Sequence, residues 1–285
     1  MTPTLVRQHL RHSGTTPRVD QWARARDWAE IQERMLVPLY EAVYERLEVG
    51  SSTRLLGLGC GSGLALLMAA ARGASVSGTQ ARAPERLALA RERLLPEPRG
   101  TRARAGARLT DGGPADVEDM ATAAYNLVTL FEPIGCVAGD SEGLGESLAA
   151  ATPLVARGVP VVLVGWGPPE RCATSSVLRV ATELAEPPHG TGSWRPALRD
   201  DLEEVARRAG LRPDGSGRVA CPFGYANVDN AVRGLLSTGL FDAAVAATDQ
   251  ARVDKEVREA LHPHRRRDGT VWMPNVFRYL VARTV

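Results

Sequence analysis

Residues 54–63 read Arg54-Leu55-Leu56-Gly57-Leu58-Gly59-Cys60-Gly61-Ser62-Gly63, a short apolar run followed at once by a glycine-rich turn. An alanine- and leucine-rich segment then extends to about Arg72, and Gly73 suits the C-terminal cap of a helix. The stretch therefore predicts a strand, a turn and a helix. Glycines at such a turn let the backbone approach a ligand and direct amide N–H groups toward it. Many α/β folds also need a glycine-rich turn for helix–strand packing alone, so both interpretations stay open.

Apolar runs and helical segments alternate along most of the chain. Further strands are expected at 74–78, 125–131 and 159–165, and helices at 84–95, 142–151 and 174–184. Strands that are apolar throughout and alternate with helices are typical of a parallel sheet covered on both faces. The pattern therefore predicts an α/β fold with a doubly wound sheet.

Five segments differ in composition and pattern. They are a flexible tail at 1–19, an N-terminal helical lid at 20–50, an α/β core at 51–221, a helical cap at 222–270 and the final strand of the core at 271–285. Pro38 is expected to kink or split the helix of the lid. The final strand is expected to run from Val271 to Ala282. These segments predict one large domain with helical additions to its core.

The bulk composition limits the classes of function. The net charge is +2, from 35 basic and 33 acidic residues, whereas a nucleic-acid binder usually has a concentrated basic excess. The four cysteines are far apart in sequence, which argues against zinc sites and disulfide scaffolds and favours reduced thiols. No apolar run approaches the roughly 20 residues that a membrane span needs. We therefore expect a cytoplasmic protein with no metal site and no nucleic-acid or membrane partner.

Four further stretches carry a resemblance to a known family. They are Leu39-Tyr40-Glu41-Ala42, Pro84-Glu85-Arg86-Leu87-Ala88-Leu89-Ala90-Arg91, Tyr125-Asn126-Leu127-Val128-Thr129 and Asn275-Val276-Phe277-Arg278-Tyr279-Leu280-Val281-Ala282. With the glycine loop, they make residues 20–285 resemble the class I S-adenosylmethionine-dependent methyltransferases that act on small molecules. The resemblance implies a Rossmann-like seven-stranded sheet with an antiparallel last strand, N-terminal helices and a helical cap.

The resemblance also implies S-adenosylmethionine as the cofactor. The positions that match its binding residues are Gly59, Cys60, Gly61, Gly63, Gln80, Ala81 and Phe131. However, Gly57, Gln80 and Ala107 stand where the family usually has acids. A hydrogen bond to a charged group contributes about 1.5–3 kcal/mol, against about 0.5–1.5 kcal/mol for a neutral pair. The cofactor is therefore expected to bind weakly or not at all.

Three arginines lie near positions 80 and 107 in the sequence: Arg82, Arg104 and Arg108. S-adenosylmethionine carries a sulfonium and an ammonium group against one carboxylate, so negative potential should favour it. One interpretation is that the arginines face solvent, as most arginines do. The other is that the pocket receives a more anionic ligand.

Glu132 is the candidate catalytic residue. Phe131-Glu132-Pro133 ends a predicted strand at the carboxyl edge of the sheet, where ligands bind in open α/β folds. Glu132 could balance the sulfonium or act as a general base, and the alternative is a loop carboxylate that caps the next segment. Methyl transfer depends mainly on positioning and on exclusion of water, so no compact catalytic motif is expected.

Other residues allow both a functional and a structural interpretation. Trp166, Trp22, Trp28 and Tyr40 could line a pocket, but packing explains them equally well. His262-Pro263-His264-Arg265-Arg266-Arg267 holds two histidines without a third ligand, and basic residues after a helix complement its dipole.

Two hypotheses of function follow. The first is S-adenosylmethionine-dependent methyl transfer to a small-molecule acceptor, such as a specialised metabolite. The second is a relative that keeps the fold without methylating, as a cyclase, lyase or isomerase or as a non-catalytic partner in a biosynthetic pathway. The sequence determines neither the acceptor nor the oligomeric state.

Overall fold

The described residues form nine β-strands in two sheets. The structure is a computed structural model that describes residues 20–95, 107–114, 116, 124–135, 141, 143–185 and 201–285. The expected tail at 1–19 lies outside the described residues, as does Arg104. The strands are β1 Arg54–Leu58, β2 Ser75–Thr79, β3 Ala107–Thr110, β4 Leu127–Ile134, β5 Pro160–Trp166, β6 Arg212–Ala220, β7 Phe223–Tyr225, β8 Val271–Met273 and β9 Val276–Arg283.

The main sheet has seven strands in the order β3-β2-β1-β4-β5-β9-β6. Strands β1 to β5 run parallel to one another. Strand β9 runs antiparallel to both β5 and β6. The expected Rossmann-like sheet with an antiparallel last strand is therefore confirmed. Because β1 to β4 are parallel, their carboxyl ends meet at one edge of the sheet.

Two glycines make room for the helix that follows β1. Gly57 and Gly78 are paired in register on β1 and β2. A Cβ atom at Gly57 would lie 2.9 Å from Leu66 Cδ2, and one at Gly78 would lie 2.6 Å from Leu66 Cδ1. The buried side chain of Leu66 thus fills the space above both residues. The absence of an acid at position 57 therefore has a packing cause.

Ten short α-helices lie in the described residues. They are α1 Gln21–Asp27, α2 Val37–Arg46, α3 Leu64–Ala71, α4 Pro84–Leu94, α5 Leu144–Ala151, α6 Ser175–Ala185, α7 Asp201–Arg208, α8 Val228–Ser237, α9 Asp242–Ala247 and α10 Gln250–Ala260. The longest have 11 residues. Within the described part of the chain, no helix combines the length and the apolar character that crossing a membrane requires.

The lid is a broken helix. Helix α1 passes into a π-helical turn at Trp28–Gln32 and a 3-10 turn at Glu33–Leu36, and α2 then begins with Pro38 in its first turn. The expected split of this helix at Pro38 is confirmed. The irregular turns come before the proline, because proline suits the start of a helix and not its interior. The two irregular turns change the direction of the side chains that follow, relative to a regular α-helix.

The expected continuous strand from Val271 to Ala282 is divided in the structure. Val271–Met273 pairs with β7 in the small sheet, whereas Val276–Arg283 enters the main sheet. The break falls at Pro274, which has no N–H group to donate, and at the buried Asn275. Asn275 Oδ1 accepts from Thr174 N at 3.1 Å, which anchors the break to the start of α6.

Gly63→Ala is expected to lower the free energy of unfolding by about 2–4 kcal/mol. Gly63 has φ +81°, and its Cβ would lie 2.9 Å from Ala90 Cβ, so the substitution adds both strain and a clash. The control is Gly158→Ala, where φ is +78° but no atom lies within 4 Å of the added Cβ. That control should lose only about 1 kcal/mol. Urea unfolding measures both, and equal losses would contradict a packing role for Gly63.

Candidate functional site

The glycine loop turns sharply at the carboxyl end of β1. Gly59, Gly61 and Gly63 have φ values of 62°, 58° and 81°, a region that favours glycine. Cys60 N donates to Thr79 O at 2.9 Å, which ties the loop to the end of β2. The contact of Gly63 with Ala90 gives that glycine a packing role between α3 and α4. Gly59 and Gly61 instead face the lid and β4.

A small cavity of about 30 Å³ lies beside this loop, enough for about two water molecules. Six of the candidates from sequence line it: Gly59, Cys60, Gly61, Gln80, Phe131 and Glu132. Gly63 and Ala81 do not line it, and the side chain of Ala81 is exposed. The described residues therefore bring most of the candidates together, but the lid closes over them. A ligand as large as a nucleoside requires the lid to move.

Glu33 of the lid is buried against the loop, with 2% of its surface exposed. Ser62 N donates to Glu33 Oε1 at 3.2 Å, and Ser62 Oγ donates to Glu33 Oε2. Arg93 Nη1 of α4 donates to Glu33 Oε2 at 2.9 Å, while its Nη2 donates to Ala29 O at 3.1 Å. Burial raises the pKa of the Glu33 carboxyl, and the bonds from Ser62 and Arg93 oppose this shift. Glu33 therefore joins the lid, the loop and α4.

Gln80 also binds the loop. Its Oε1 atom accepts from Gly61 N at 2.8 Å, and its backbone N–H donates to Thr110 O at 3.1 Å. Gly61 N and Ser62 N are the amides that the glycine turn directs outward. In the structure, Gln80 and Glu33 accept from these two amides.

The interpretation that Ala107 replaces an acid after the third strand is wrong. Ala107 begins β3 and pairs with Val76 near the start of β2. The carboxyl end of β3 is Thr110, and the exposed Asp111 follows it. With four residues, β3 has too short a pattern for the sequence to locate its end. An acid is therefore present at this point of the sheet edge.

The arginines singled out from sequence differ in their exposure to solvent. Arg82 is exposed, as the solvent interpretation expects, and Arg108 is half-buried within β3. The arginine that lines the cavity is instead Arg86 of α4, whose guanidinium lies 4.2 Å from the ring centroid of Trp28. Arg86 Nη2 donates to Ser237 O of the cap at 2.6 Å. Burial lowers the pKa of Arg86, and the nearby charge of Glu132 opposes that shift.

Aromatic residues form one wall of the cavity. The ring centroids of Tyr40 and Phe131 are 4.7 Å apart, and that of Tyr44 is 5.7 Å from Phe131. Burial raises the pKa of Tyr40 well above its usual range, and it raises the pKa of the Cys60 thiol to about 12. Both groups therefore keep their protons at neutral pH. The carboxylate of Glu132, beside this wall, is exposed.

The lid contacts the cap through charged and buried polar groups. Arg24 Nη2 lies 2.7 and 2.9 Å from the two carboxylate oxygens of Asp242, and Arg233 Nε lies 3.2 Å from Asp27 Oδ2. Within the packed interface, Tyr225 Oη donates to Gln32 Oε1 at 2.9 Å. The lid thus lies between the glycine loop and helices α8 and α9 of the cap.

Two other groups from the sequence analysis lie away from this cavity. Trp166 packs in the core, with its ring centroid 4.5 Å from that of Phe277. His264 Nε2 lies 3.3 Å from Ser176 Oγ at the start of α6. Among the described residues, no cluster of three or more His, Cys, Asp or Glu side chains has the proximity that a metal site requires.

Sequence reasoning missed Glu33, Arg86 and Arg93 as site residues. Glu33 lies between Ile31 and Met35, both partly buried, in the apolar pattern of the lid. A carboxylate in such a pattern is a signal for a buried partner, but the partner, Arg93, is 60 residues away. Arg86 and Arg93 are seven residues apart and therefore share one face of α4. That spacing was a further sequence signal for these two site residues.

Arg93→Met is expected to lower the free energy of unfolding by about 3 kcal/mol at neutral pH, because it leaves the carboxylate of Glu33 buried without its cation. The matched control is Arg91→Met, on the exposed face of the same helix. This control should change stability by less than about 0.5 kcal/mol. Urea unfolding of the two variants tests the pair, and equal stabilities would contradict it.

The stability of the protein should also depend on the charge of Glu33. Its pKa is raised in the folded state, so its contribution is fully present at low pH and is lost as pH rises from the usual range of a glutamate through the raised pKa. Glu33→Gln should remove this dependence, whereas exposed Glu41→Gln should keep it. Urea unfolding between about pH 5 and pH 8 gives the slopes, each pKa unit being worth about 1.4 kcal/mol. Parallel slopes for wild type and Glu33→Gln would overturn this expectation.

Comparison with known proteins supports the fold. No protein-family model matches this sequence, and no curated protein matches it. A proposed methyltransferase from Bacillus halodurans aligns with a TM-score of 0.51 and 12% identity, over 86% of this chain and 97% of its own. The YcgJ protein from Bacillus subtilis aligns with a TM-score of 0.52 and 12% identity, over 86% and 97% of the two chains. At this level of sequence identity, the similarity shows the fold alone. With the order of the strands and the antiparallel β9, it shows that the chain has the fold of the class I S-adenosylmethionine-dependent methyltransferases.

Proposed function

We propose that this chain binds S-adenosylmethionine beside its glycine loop and transfers the methyl group to a small-molecule acceptor of specialised metabolism. The observation that carries the proposal is a pair of carboxylates, Glu33 and Glu132, that line the cavity although positions 57 and 80 hold none. Asp111, at the end of β3, is a third acid at the same edge of the sheet. Their negative charge suits a ligand that carries a sulfonium and an ammonium group.

The backbone of the loop fits such a ligand as well. A Cβ atom at Gly61 would lie 3.0 Å from Glu33 Oε1, and one at Gly59 would lie 3.6 Å from Glu132 Oε2. Any side chain at these two positions would therefore occupy the space between the loop and the carboxylates. The positive φ values of Gly59 and Gly61 also favour glycine at these positions. The two glycines thus suit the close approach of a ligand to the loop, and the carboxylates suit its positive charge.

The chemistry requires little from the protein. S-adenosylmethionine, when bound, supplies an electrophilic methyl group. The chain's own residues position the acceptor and exclude water, with Tyr40 and Phe131 as an apolar wall. Because Tyr40 and Cys60 stay protonated, Glu132 is the residue that can take a proton from the acceptor. Contact between the lid and the cap limits the acceptor to a small molecule.

A second candidate function rests on the loop amides. Gln80 and Glu33 already accept from Gly61 N and Ser62 N, and the cavity admits only about two water molecules. Because the amides of the loop already form hydrogen bonds within the chain, they favour a protein that keeps the fold without methylating. Such a protein would use Glu132 for acid–base chemistry as a cyclase, lyase or isomerase, or would act as a non-catalytic partner.

Calorimetry with S-adenosylmethionine and S-adenosylhomocysteine tests the two candidates. Wild type is expected to bind both ligands. Glu132→Gln should weaken S-adenosylmethionine by about fivefold, because an exposed charge pair contributes up to about 1 kcal/mol. It should leave S-adenosylhomocysteine unchanged, because that product has no sulfonium charge. The control is Glu45→Gln on the exposed face of α2.

The possible results separate the candidates. Absence of heat at millimolar concentrations of both ligands would exclude methyl transfer and leave the second candidate. Equal weakening of both ligands by Glu132→Gln would show that this carboxylate does not face the sulfonium.

A further inference from the structure

One buried donor in the cavity wall has no acceptor. Trp28 Nε1 is inaccessible to solvent and has no hydrogen-bond partner among the described residues. It lies 3.3 Å from the position that a Cβ atom at Gly61 would take. More than nine in ten buried polar groups in proteins are hydrogen-bonded. An unpaired N–H group in the wall of a cavity therefore indicates an acceptor that is not among the described residues.

A cation lies beside this donor. The guanidinium of Arg86 stacks on the indole of Trp28 and lines the same cavity. Among the described residues, its one hydrogen bond runs from Nη2 to Ser237 O. A guanidinium has five N–H donors, so further donors remain for a ligand. Trp28 and Arg86 together offer two neighbouring donors to an anionic oxygen.

An acceptor faces the same point of the loop. Glu33 Oε1 lies 3.0 Å from the Cβ position at Gly61. Within the described part of the chain, this oxygen accepts from Ser62 N alone, whereas the bonds from Ser62 Oγ and Arg93 go to Oε2. A carboxylate oxygen accepts more than one hydrogen bond. Glu33 Oε1 can therefore take a second donor, next to the two donors of Trp28 and Arg86.

We infer that Trp28, Arg86 and Glu33 form a subsite for the α-amino-acid end of a ligand. Trp28 Nε1 and Arg86 donate to its carboxylate, and Glu33 Oε1 accepts from its ammonium group. The lid, and not the ends of the strands, supplies two of these three residues. The identity of the ligand rests on the proposed function, because S-adenosylmethionine has such an end. An acceptor that is itself an amino acid has the same chemistry.

The indole N–H resonances of the full chain test this subsite directly. The chain has five tryptophans, and Trp28→Phe identifies the resonance of Trp28 by its loss. S-adenosylhomocysteine should move that resonance downfield, as a new hydrogen bond to a carboxylate does. Decarboxylated S-adenosylmethionine should leave it in place. Free methionine should move it if an amino-acid acceptor uses the subsite.

Affinities give a second, independent readout. Trp28→Phe keeps an aromatic ring for Arg86 to contact and removes the N–H, so it should weaken S-adenosylmethionine by about tenfold or more. It should not change the affinity for the decarboxylated analogue. The matched control is Trp22→Phe in α1, because Trp22 is 46% exposed. Circular dichroism and urea unfolding confirm that both variants keep the fold.

The subsite and the proposed function can fail separately. If wild type binds S-adenosylmethionine but its affinity is equal in Trp28→Phe and the resonance does not move, the subsite is wrong and the function stands. If S-adenosylmethionine does not bind but methionine moves the Trp28 resonance, the function is wrong and the subsite serves another amino-acid ligand. If no ligand moves the resonance, the subsite is overturned.

Discussion

The buried carboxylate of Glu33 is the interaction on which the candidate site depends. It receives hydrogen bonds from Ser62 in the glycine loop and from Arg93 in α4, so one side chain joins three separate parts of the chain. Removing a carboxylate from water costs several kcal/mol unless it is paired and fully hydrogen-bonded. That requirement holds the broken helix of the lid against the loop. It also brings the indole of Trp28, one turn earlier, to the wall of the cavity.

Positions 57 and 80 hold no acid, and the acids of this site lie elsewhere. Gly57 and Gly78 leave space that Leu66 fills, so an acid at position 57 would compete with the packing of α3. Gln80 is committed to an amide of the loop. The carboxylates that line the cavity come instead from the lid and from β4. A pocket can therefore keep its sign of charge while positions 57 and 80 lack an acid, because potential depends on where charges lie and not on which element holds them.

Sequence reasoning found the parts of the site that depend on local geometry. Gly59 and Gly61 are recognisable because only glycine readily adopts their positive φ, and Glu132 because it lies near the carboxyl end of β4, at the ligand-binding edge. Glu33 was missed because its side chain is directed by a π-helical and a 3-10 turn, whereas a regular helical pattern does not predict its contact with Ser62. Ala107 was misplaced because a strand of four residues has too short a pattern to define where it ends.

By itself, the sequence determined the order of strands and helices, the glycine turn, and the break at Pro38. These features follow from local rules: apolar periodicity, the conformational freedom of glycine, and the missing N–H group of proline. Only the tertiary structure decided which charges meet at the cavity. The contact between Glu33 and Arg93 joins residues 60 positions apart, and that between Gln32 and Tyr225 joins residues 193 apart. Pairs so distant in sequence are set by the packing of the lid between the loop and the cap, because no local pattern constrains them.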